Sequence, residues 1–347
     1  MKILLDVMSG DNAPEEIIKG AFLAHKEYPS IEIVLIGDLS VIKNYCIENR
    51  LPLDDHRISV VHTALAITME DEPLCVVRDK AKSSMGIGLK MLANGDGDAF
   101  VSAGNTGALH AGSTLVVRRI KGYSRSAIAT VLPFQTPMLL IDSGANTEVT
   151  KEQLEQFAIM GSIYMNRIFG IDHPRVGLAN NGTEETKGTK NLVEAHAYLK
   201  ASDKINFVGN IEGKQIPFSE CDVLVCDGFT GNIILKLSEG MSKFLMKKVK
   251  EVFYKNPITM ASGLVMKPQI KQFKKDYDAS EFGGAPFLGI SKPVIKAHGS
   301  SDAVAIKNAI RQSMDCVNTG IIKELARMVQ KDKPKSEVKN GEETVNE

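Results

Sequence analysis

The chain has 347 residues, 43% of them apolar, enough to bury a large core in one or two domains. Lysine plus arginine and aspartate plus glutamate stand at 42 each, so net charge supplies no general attraction to nucleic acid, and charged partners must be met locally. The five cysteines form no Cys-x-x-Cys pair, which argues against a disulfide framework and for a reduced, cytoplasmic setting.

Strand and helix signals then alternate. Residues 2–7 read as a buried strand that opens the chain directly, so no secretory signal is expected. A helix over 13–28 takes Pro14 in its first turn. A strand follows at 31–36, a helix at 39–48 and a strand at 58–61. Residues 73–94 are mostly helical, interrupted near Ser83-Ser84. Ala99-Phe-Val-Ser102 closes a short strand and leads through small residues into a helix over 106–118, with Asn105 or Thr106 as N-cap. Strands at 127–132 and 138–142 lie close enough to be a hairpin. A helix over 151–169, a strand at 176–179, a helix over 189–200, strands at 205–208 and 223–226, and a helix over 232–254 come next. A strand at 293–297 and a helix over 301–317 complete the pattern. This order argues for a mainly parallel sheet covered on both faces, in a single domain over 1–330, followed by a polar, disordered tail over 331–347. No apolar run approaches the roughly 18 to 20 residues that span a bilayer.

In parallel sheets ligands bind beyond the carboxyl ends of the strands, and here six such ends share one chemistry. They are Asp6-Val-Met-Ser-Gly-Asp11, Asp142-Ser-Gly-Ala-Asn146, the stretch from Asn180 to Gly188 with Lys187, Gly209-Asn-Ile-Glu-Gly213, Asp227-Gly-Phe-Thr-Gly-Asn232 and His298-Gly-Ser-Ser301. The 102–107 turn is of the same kind, and all are expected on one rim. One Asp-Gly or Asn-Gly is an ordinary turn; a set of them at strand ends makes a ligand cleft. The first strand is not followed by Gly-x-Gly-x-x-Gly, and the chain has no Gly-x-x-x-x-Gly-Lys-Ser/Thr and no Gly-x-Ser-x-Gly. Its seven histidines show no zinc-ligand spacing, so no metal site and no cofactor are expected. What remains is an oxyanion held on backbone amides and Lys187, without a protein nucleophile.

Ser-Ala-Gly-Asn-Thr-Gly-Ala (102–108), Asp-Ser-Gly-Ala-Asn (142–146), Gly-Asn-Ile-Glu-Gly (209–213), Asp-Gly-Phe-Thr-Gly-Asn (227–232), Gly-Gly-Ala-Pro-Phe-Leu-Gly (283–289) and His-Gly-Ser-Ser (298–301) together resemble the bacterial phosphate acyltransferases of phospholipid synthesis, the PlsX family, in order over residues 1 to 328. Val7 and Ser9 stand where that family usually has Ala and Gly, and Ala179 to Asn181 depart from its usual Leu-Asn-x. The resemblance implies a Rossmann-like three-layer α-β-α sandwich like that of phosphotransacetylases and isocitrate dehydrogenases, forming homodimers. It implies reversible transfer of a long-chain acyl group from acyl carrier protein to inorganic phosphate. The acyl phosphate then passes to a membrane glycerol-3-phosphate acyltransferase.

The chemistry of these residues suits that reaction. Phosphate is already partly dianionic near neutrality, and a pantetheine thiol of pKa about 8.5 leaves without strong acid help. Phosphate is expected on the amides of Gly104–Gly107 and Gly144–Asn146, with Lys187 supplying charge, Asn232 donating to the oxyanion and His298 protonating the leaving thiolate. Asp6, Asp11, Ser102, Asn105, Thr106, Asn210 and Asp227 complete the expected phosphate and substrate contacts. The rival readings are a coenzyme A phosphotransacetylase, a nicotinamide-linked dehydrogenase disfavoured by the missing fingerprint, and a non-enzymatic membrane scaffold.

Between Lys243 and Lys275 stand nine lysines and one acid, Glu251, around the uncharged stretch 257–266. An apolar tip flanked by lysines is suited to dip into an anionic bilayer, with Ile258, Met260, Leu264 and Val265 as the contact. The alternative is packing on a second copy of the chain, and in the family the corresponding helical hook is associated with membrane attachment. The expected location is therefore cytoplasmic, peripheral to the inner face of the membrane. The same lysines suit the acidic acyl carrier protein.

Overall fold

The computed structural model describes residues 1–277 and 279–331. The first half contains β1 (Lys2–Asp6), α1 (Glu15–Glu27), β2 (Glu32–Gly37), α2 (Leu39–Glu48), β3 (Ile58–His62), α3 (Ser84–Asn94), β4 (Ala99–Ser102) and α4 (Thr106–Gly112), which continues as a π-helical turn to Val117. Then come β5 (Ala127–Pro133), β6 (Pro137–Ile141), α5 (Lys151–Phe169), β7 (Arg175–Asn180), α6 (Lys190–Lys200), β8 (Asn206–Glu212) and β9 (Val223–Val225). The last elements are α7 (Gly228–Phe253), α8 (Pro257–Asp276), β10 (Ala285–Leu288), β11 (Val294–Lys296), α9 (Ala303–Asn318) and α10 (Ile321–Lys331). Side-chain oxygens start most of these helices: Asp38, Ser83, Asn105, Thr150, Thr189, Asp227 and Asp302 each accept from a first-turn N–H. The tail expected at 331–347 lies, beyond Lys331, outside the described residues.

One 11-stranded sheet runs in the order β3-β2-β1-β4-β11-β10-β5-β6-β9-β7-β8. One core covers a face of it under α1, α5 and α9; the other face packs under α3 and α4 on one side and the start of α7 on the other. These are the three layers of an α-β-α sandwich. The pairings of β11 with β10, β10 with β5 and β5 with β6 are antiparallel, and the others are parallel.

That arrangement corrects the expectation of a single rim. β1, β4 and β11 point one way, while β6, β9, β7 and β8 point the opposite way. Register brings the two sets of carboxyl ends together all the same. Ser102 aligns with Lys296, and Lys296 with Ala285. Two residues along β10, Phe287 aligns with Ile128, whose N–H donates to Asp142 beyond the end of β6. The opposed ends are thus offset by only about 7 Å along the strands, and they face each other across β10 and β5.

Two elements differ in extent from the sequence reading, each at a glycine. β8 continues through Gly209, whose φ of +105° lies where the register with β7 shifts, so this glycine makes a bulge rather than an end. α7 starts at Gly228, not at Asn232, because its first turn lies directly on the loop after β6. A Cβ on Gly231 would stand 1.9 Å from the Asp142 carbonyl oxygen. β10 and α10 fall outside the elements read from the sequence, although Ile321, Ile322, Leu325, Met328 and Val329 of α10 recur at helical spacing. β10 is four residues containing a proline, which the pattern reads as loop.

Candidate active site

At the end of β1, Asp6 is fully buried, and burial pushes its carboxyl above the usual range against the pull of the Ser84, Ser102 and Ser9 hydroxyls. Ser102 Oγ donates to Asp6 Oδ2 at 2.7 Å and accepts from Gly104 N at 3.1 Å. Asp6 and Ser102 therefore lie behind the 103–107 turn rather than facing a substrate. Asn105 is likewise committed: its Oδ1 caps α4 by accepting from Ala108 N, and its Nδ2 donates to the carbonyls of Thr68, Met69 and Asp71. The side chain expected to touch substrate instead fastens the turn to the 68–71 loop. The N–H groups of Thr106 and Gly107, at the first helical positions, have no intrahelical acceptor.

The loop after β1 is stitched to the loop after β11. Asp11 N donates to Gly299 O at 2.8 Å, and Asn12 Nδ2 donates to the carbonyls of Ser300 and Ser301. His298 is half-exposed there. Its Nδ1 accepts from Ser300 N at 3.2 Å, so the proton of the neutral ring is on Nε2, 3.8 Å from Glu239 Oε1 on α7. Glu239 also receives Lys236 Nζ at 3.0 Å, and His298, then Lys236, hold its carboxyl down at about 2 against burial. Sequence reasoning did not single out Lys236, Glu239 or Lys296. Lys296 is 8% exposed and its ammonium donates to Ala103 O at 3.0 Å and to Ala297 O. Burial brings its pKa down to about 8, with Asp11 and Asp6 opposing and Lys236 assisting. The signal available was a lysine inside an otherwise apolar strand, Val294-Ile295-Lys296-Ala297.

On the opposite side, the buried Asp142 carboxylate accepts from the N–H groups of Ile128, Gly144, Ala145 and Asn146 and from Asn146 Nδ2, at 2.7 to 3.1 Å. The amides of Gly144–Asn146 expected to hold phosphate are thus turned inward onto an aspartate. Asn146 Nδ2 also donates to Ser126 O. Asp227 caps α7, accepting from Thr230 N and Oγ1 at 2.8 Å. Asn232 lies in the second turn of α7 rather than at its N-terminus, with Nδ2 against Gly144 and 3.4 Å from Ser143 O. From there α7 runs on to Lys236 and Glu239, joining the two sets of loops.

In the loop after β7, Lys187 is exposed, its stem against Gly182 and its carbonyl accepting from Asn180 Nδ2. Asn210 is only 5% exposed; its Nδ2 donates to Glu184 O at 2.8 Å and its Oδ1 lies 2.9 Å from His196 Nδ1. It is buried and secures the Lys187 loop from beneath. All five cysteines are buried, and burial raises every thiol pKa, that of Cys221 to about 12. None is suited to act as a nucleophile. Among the described residues, no group of three or more His, Cys, Asp or Glu converges as metal ligands.

Residues 1–324 match the model of a family described as "Fatty acid synthesis protein". A phosphate acyltransferase of Caldanaerobacter subterraneus subsp. tengcongensis is 43% identical over 331 residues, covering 95% of this chain and 98% of that one. That of Clostridium novyi is 44% identical over 323 residues, covering 93% and 96%. The chain belongs to the phosphate acyltransferase (PlsX) family. It is an acyltransferase of lipid biosynthesis. Among solved structures, a phosphotransacetylase from Streptococcus pyogenes superposes with a TM-score of 0.59 at 16% identity, covering 95% of this chain and 94% of that one. A branched-chain phosphotransacylase from Enterococcus faecalis gives 0.54 at 14%, covering 91% and 99%. At such identities the likeness is one of fold.

Proposed function

We propose that the chain transfers a long-chain acyl group reversibly from acyl carrier protein to inorganic phosphate in the cleft between the two sets of strand ends. The observation that carries this reading is the site's chemistry: amide donors and lysines around the cleft, with every thiol buried and protonated. A phosphate oxygen attacks the thioester carbonyl carbon, the C–O bond forms, and the collapsing tetrahedral intermediate breaks the C–S bond. The thiolate leaves and takes up one proton, giving acyl phosphate and free carrier protein. Phosphate rests on the amides of Thr106 and Gly107 at the turn that Gly104 and Asn105 open. Lys187 supplies positive charge from its exposed loop, and Asn232 Nδ2 turns from Ser143 O toward the developing oxyanion. His298 Nε2–H protonates the sulfur, and Asp11 borders the same loop. Asp6, Ser102, Asp142, Asn146, Asn210 and Asp227 hold these groups in place from behind.

The exposed apolar face of α7, with Ile233, Leu237 and Phe244 each more than half exposed, pairs two copies of the chain in a homodimer. At the start of α8, Ile258, Met260, Leu264 and Val265 are 80%, 48%, 73% and 75% exposed beside lysines. They seat the hairpin on the anionic cytoplasmic face of the membrane, where acyl phosphate reaches a glycerol-3-phosphate acyltransferase. Among the described residues no helix is long and apolar enough to cross a membrane.

The test is incubation with a long-chain acyl carrier protein thioester, with and without phosphate, and hydroxylamine capture of the mixed anhydride. Phosphate-dependent acyl hydroxamate is expected. Activity with acyl coenzyme A and none with the carrier protein would overturn the donor assignment.

A further inference from the structure

Asp6, Ser102 and Lys296 form one row across three adjacent strands. Leu5 aligns with Val101, so the next residues, Asp6 and Ser102, stand side by side, and Ser102 aligns with Lys296. Two residues earlier on the same strands, Leu4, Phe100 and Val294 share one core cluster, which places the row on that face of the sheet. Each member is buried: 0%, 0% and 8% exposed. Three polar groups at one level of a sheet core, two of them ionisable, are costly to retain unless they do something.

Their hydrogen bonds meet on a single peptide unit. Lys296 Nζ donates to the carbonyl of Ala103 at 3.0 Å, and Ser102 Oγ accepts from the N–H of Gly104 at 3.1 Å. That carbonyl and that N–H are the two ends of one planar amide. Ser102 can accept there because its own proton is spent on Asp6 Oδ2, at 2.7 Å. A second ammonium N–H ties Lys296 to Ala297 O on its own strand end. The peptide between Ala103 and Gly104 is therefore gripped from both sides. It cannot rotate without breaking a bond to β4's own Ser102 and another to β11. Beyond it lie Asn105, Thr106 and Gly107.

We infer that Lys296 is a positioning residue for the anionic substrate: with Ser102 it locks the Ala103–Gly104 peptide and so fixes the turn that receives inorganic phosphate. The inference rests on the phosphate site proposed above. The groups facing the ammonium are the carboxylates of Asp6 on β1 and Asp11 in the loop after it, Lys236 on α7, and the two carbonyls. Burial brings Lys296 down to about 8, so the neutral form becomes accessible in mildly alkaline solution. A neutral amine still fits but donates more weakly, and its field is gone.

The experiment measures inorganic phosphate binding to the full chain by calorimetry, with no acyl donor present, and steady-state KM values alongside. Lys296→Met is expected to weaken phosphate binding at pH 7 at least tenfold, leaving KM for the acyl carrier thioester within about twofold. Ser102→Ala, which releases the other end of the peptide, is expected to weaken it to a similar degree. Because both act on one peptide, the double variant should lose little more than either single one. Wild-type affinity should fall through a basic limb centred near the Lys296 value of about 8, and Lys296→Met should lack that limb. Should Lys296→Met fail to fold, Ser102→Ala and the wild-type limb decide. Phosphate affinity within twofold of wild type in the variants, losses that multiply in the double variant, or a limb retained in Lys296→Met would each overturn the inference. Since binding is read without an acyl donor, a protein that binds phosphate in this way but forms no acyl phosphate would refute the proposed reaction and not the role of Lys296.

Discussion

At Asp142 one buried carboxylate collects four backbone N–H groups and a side-chain amide, so the loop after β6 is built around a charge. Asp142→Asn keeps the shape but replaces one acceptor oxygen by a donor facing N–H groups. The expected cost is roughly 3 kcal/mol of stability, read from urea unfolding midpoints. Two other residues give opposite pH signatures. Glu239 drops from 4.5 to about 2 on folding, so its stabilisation is fully present above 4.5 and is lost as the pH falls from there toward 2. The stability gap between wild type and Glu239→Gln should therefore narrow from pH 5 to pH 3. Lys296 falls from 10.5 to about 8, so its burial costs stability below 8, and that cost is relieved as the pH rises from 8 to 10.5. Relative to Lys296→Met, the wild type should gain stability across that alkaline window. Asp6, Asp142, Asp227 and Asn210 were legible in the sequence as polar residues at strand ends. Their roles were not. An aspartate at a strand end reads as a ligand group, whereas in the fold its oxygens are already taken by neighbouring N–H and hydroxyl donors.

Among the elements, α7 determines how the site is assembled. Its first turn rests on the Asp142 loop with no room for a side chain at Gly231. Gly231→Ala should therefore lift the helix, cost roughly 2 to 3 kcal/mol by overpacking, and lower kcat at least tenfold by displacing Asn232, Lys236 and Glu239 together. A stable Gly231→Ala variant with unchanged kcat would refute that coupling. Most helix starts could be read from Asp, Asn, Ser and Thr caps, and the β5–β6 hairpin from its prolines. Glycine was the residue that misled: in β8 it marks a bulge, and in α7 a close approach, where local pattern suggests a break. Strand direction was legible only at the β5–β6 hairpin, where the sense of the sheet changes between the two sets. Nothing local to β10, four residues beginning after Gly283-Gly284, announces that it runs against both of its neighbours.

For the whole molecule, that reversal turns a rim into a cleft. Two oppositely directed parallel sets meet end to end across β10 and β5, and α7 bridges them before continuing into the exposed hairpin with α8. Hairpin and cleft thus share one helix but different faces and turns. Leu264→Glu with Val265→Asp is expected to abolish flotation with anionic vesicles while acyl phosphate formation from soluble carrier protein stays within about twofold. Undiminished flotation would refute the membrane contact.

The central claim is that phosphate itself attacks the thioester, with no acyl group ever resting on the protein. Intact-mass spectrometry of the chain, quenched during turnover of a long-chain acyl carrier protein both with and without phosphate, tests this most directly. Unmodified protein in both samples, with free carrier protein appearing only when phosphate is present, is the predicted result. A chain heavier by one acyl group, formed before phosphate is added and discharged by it, would contradict the account.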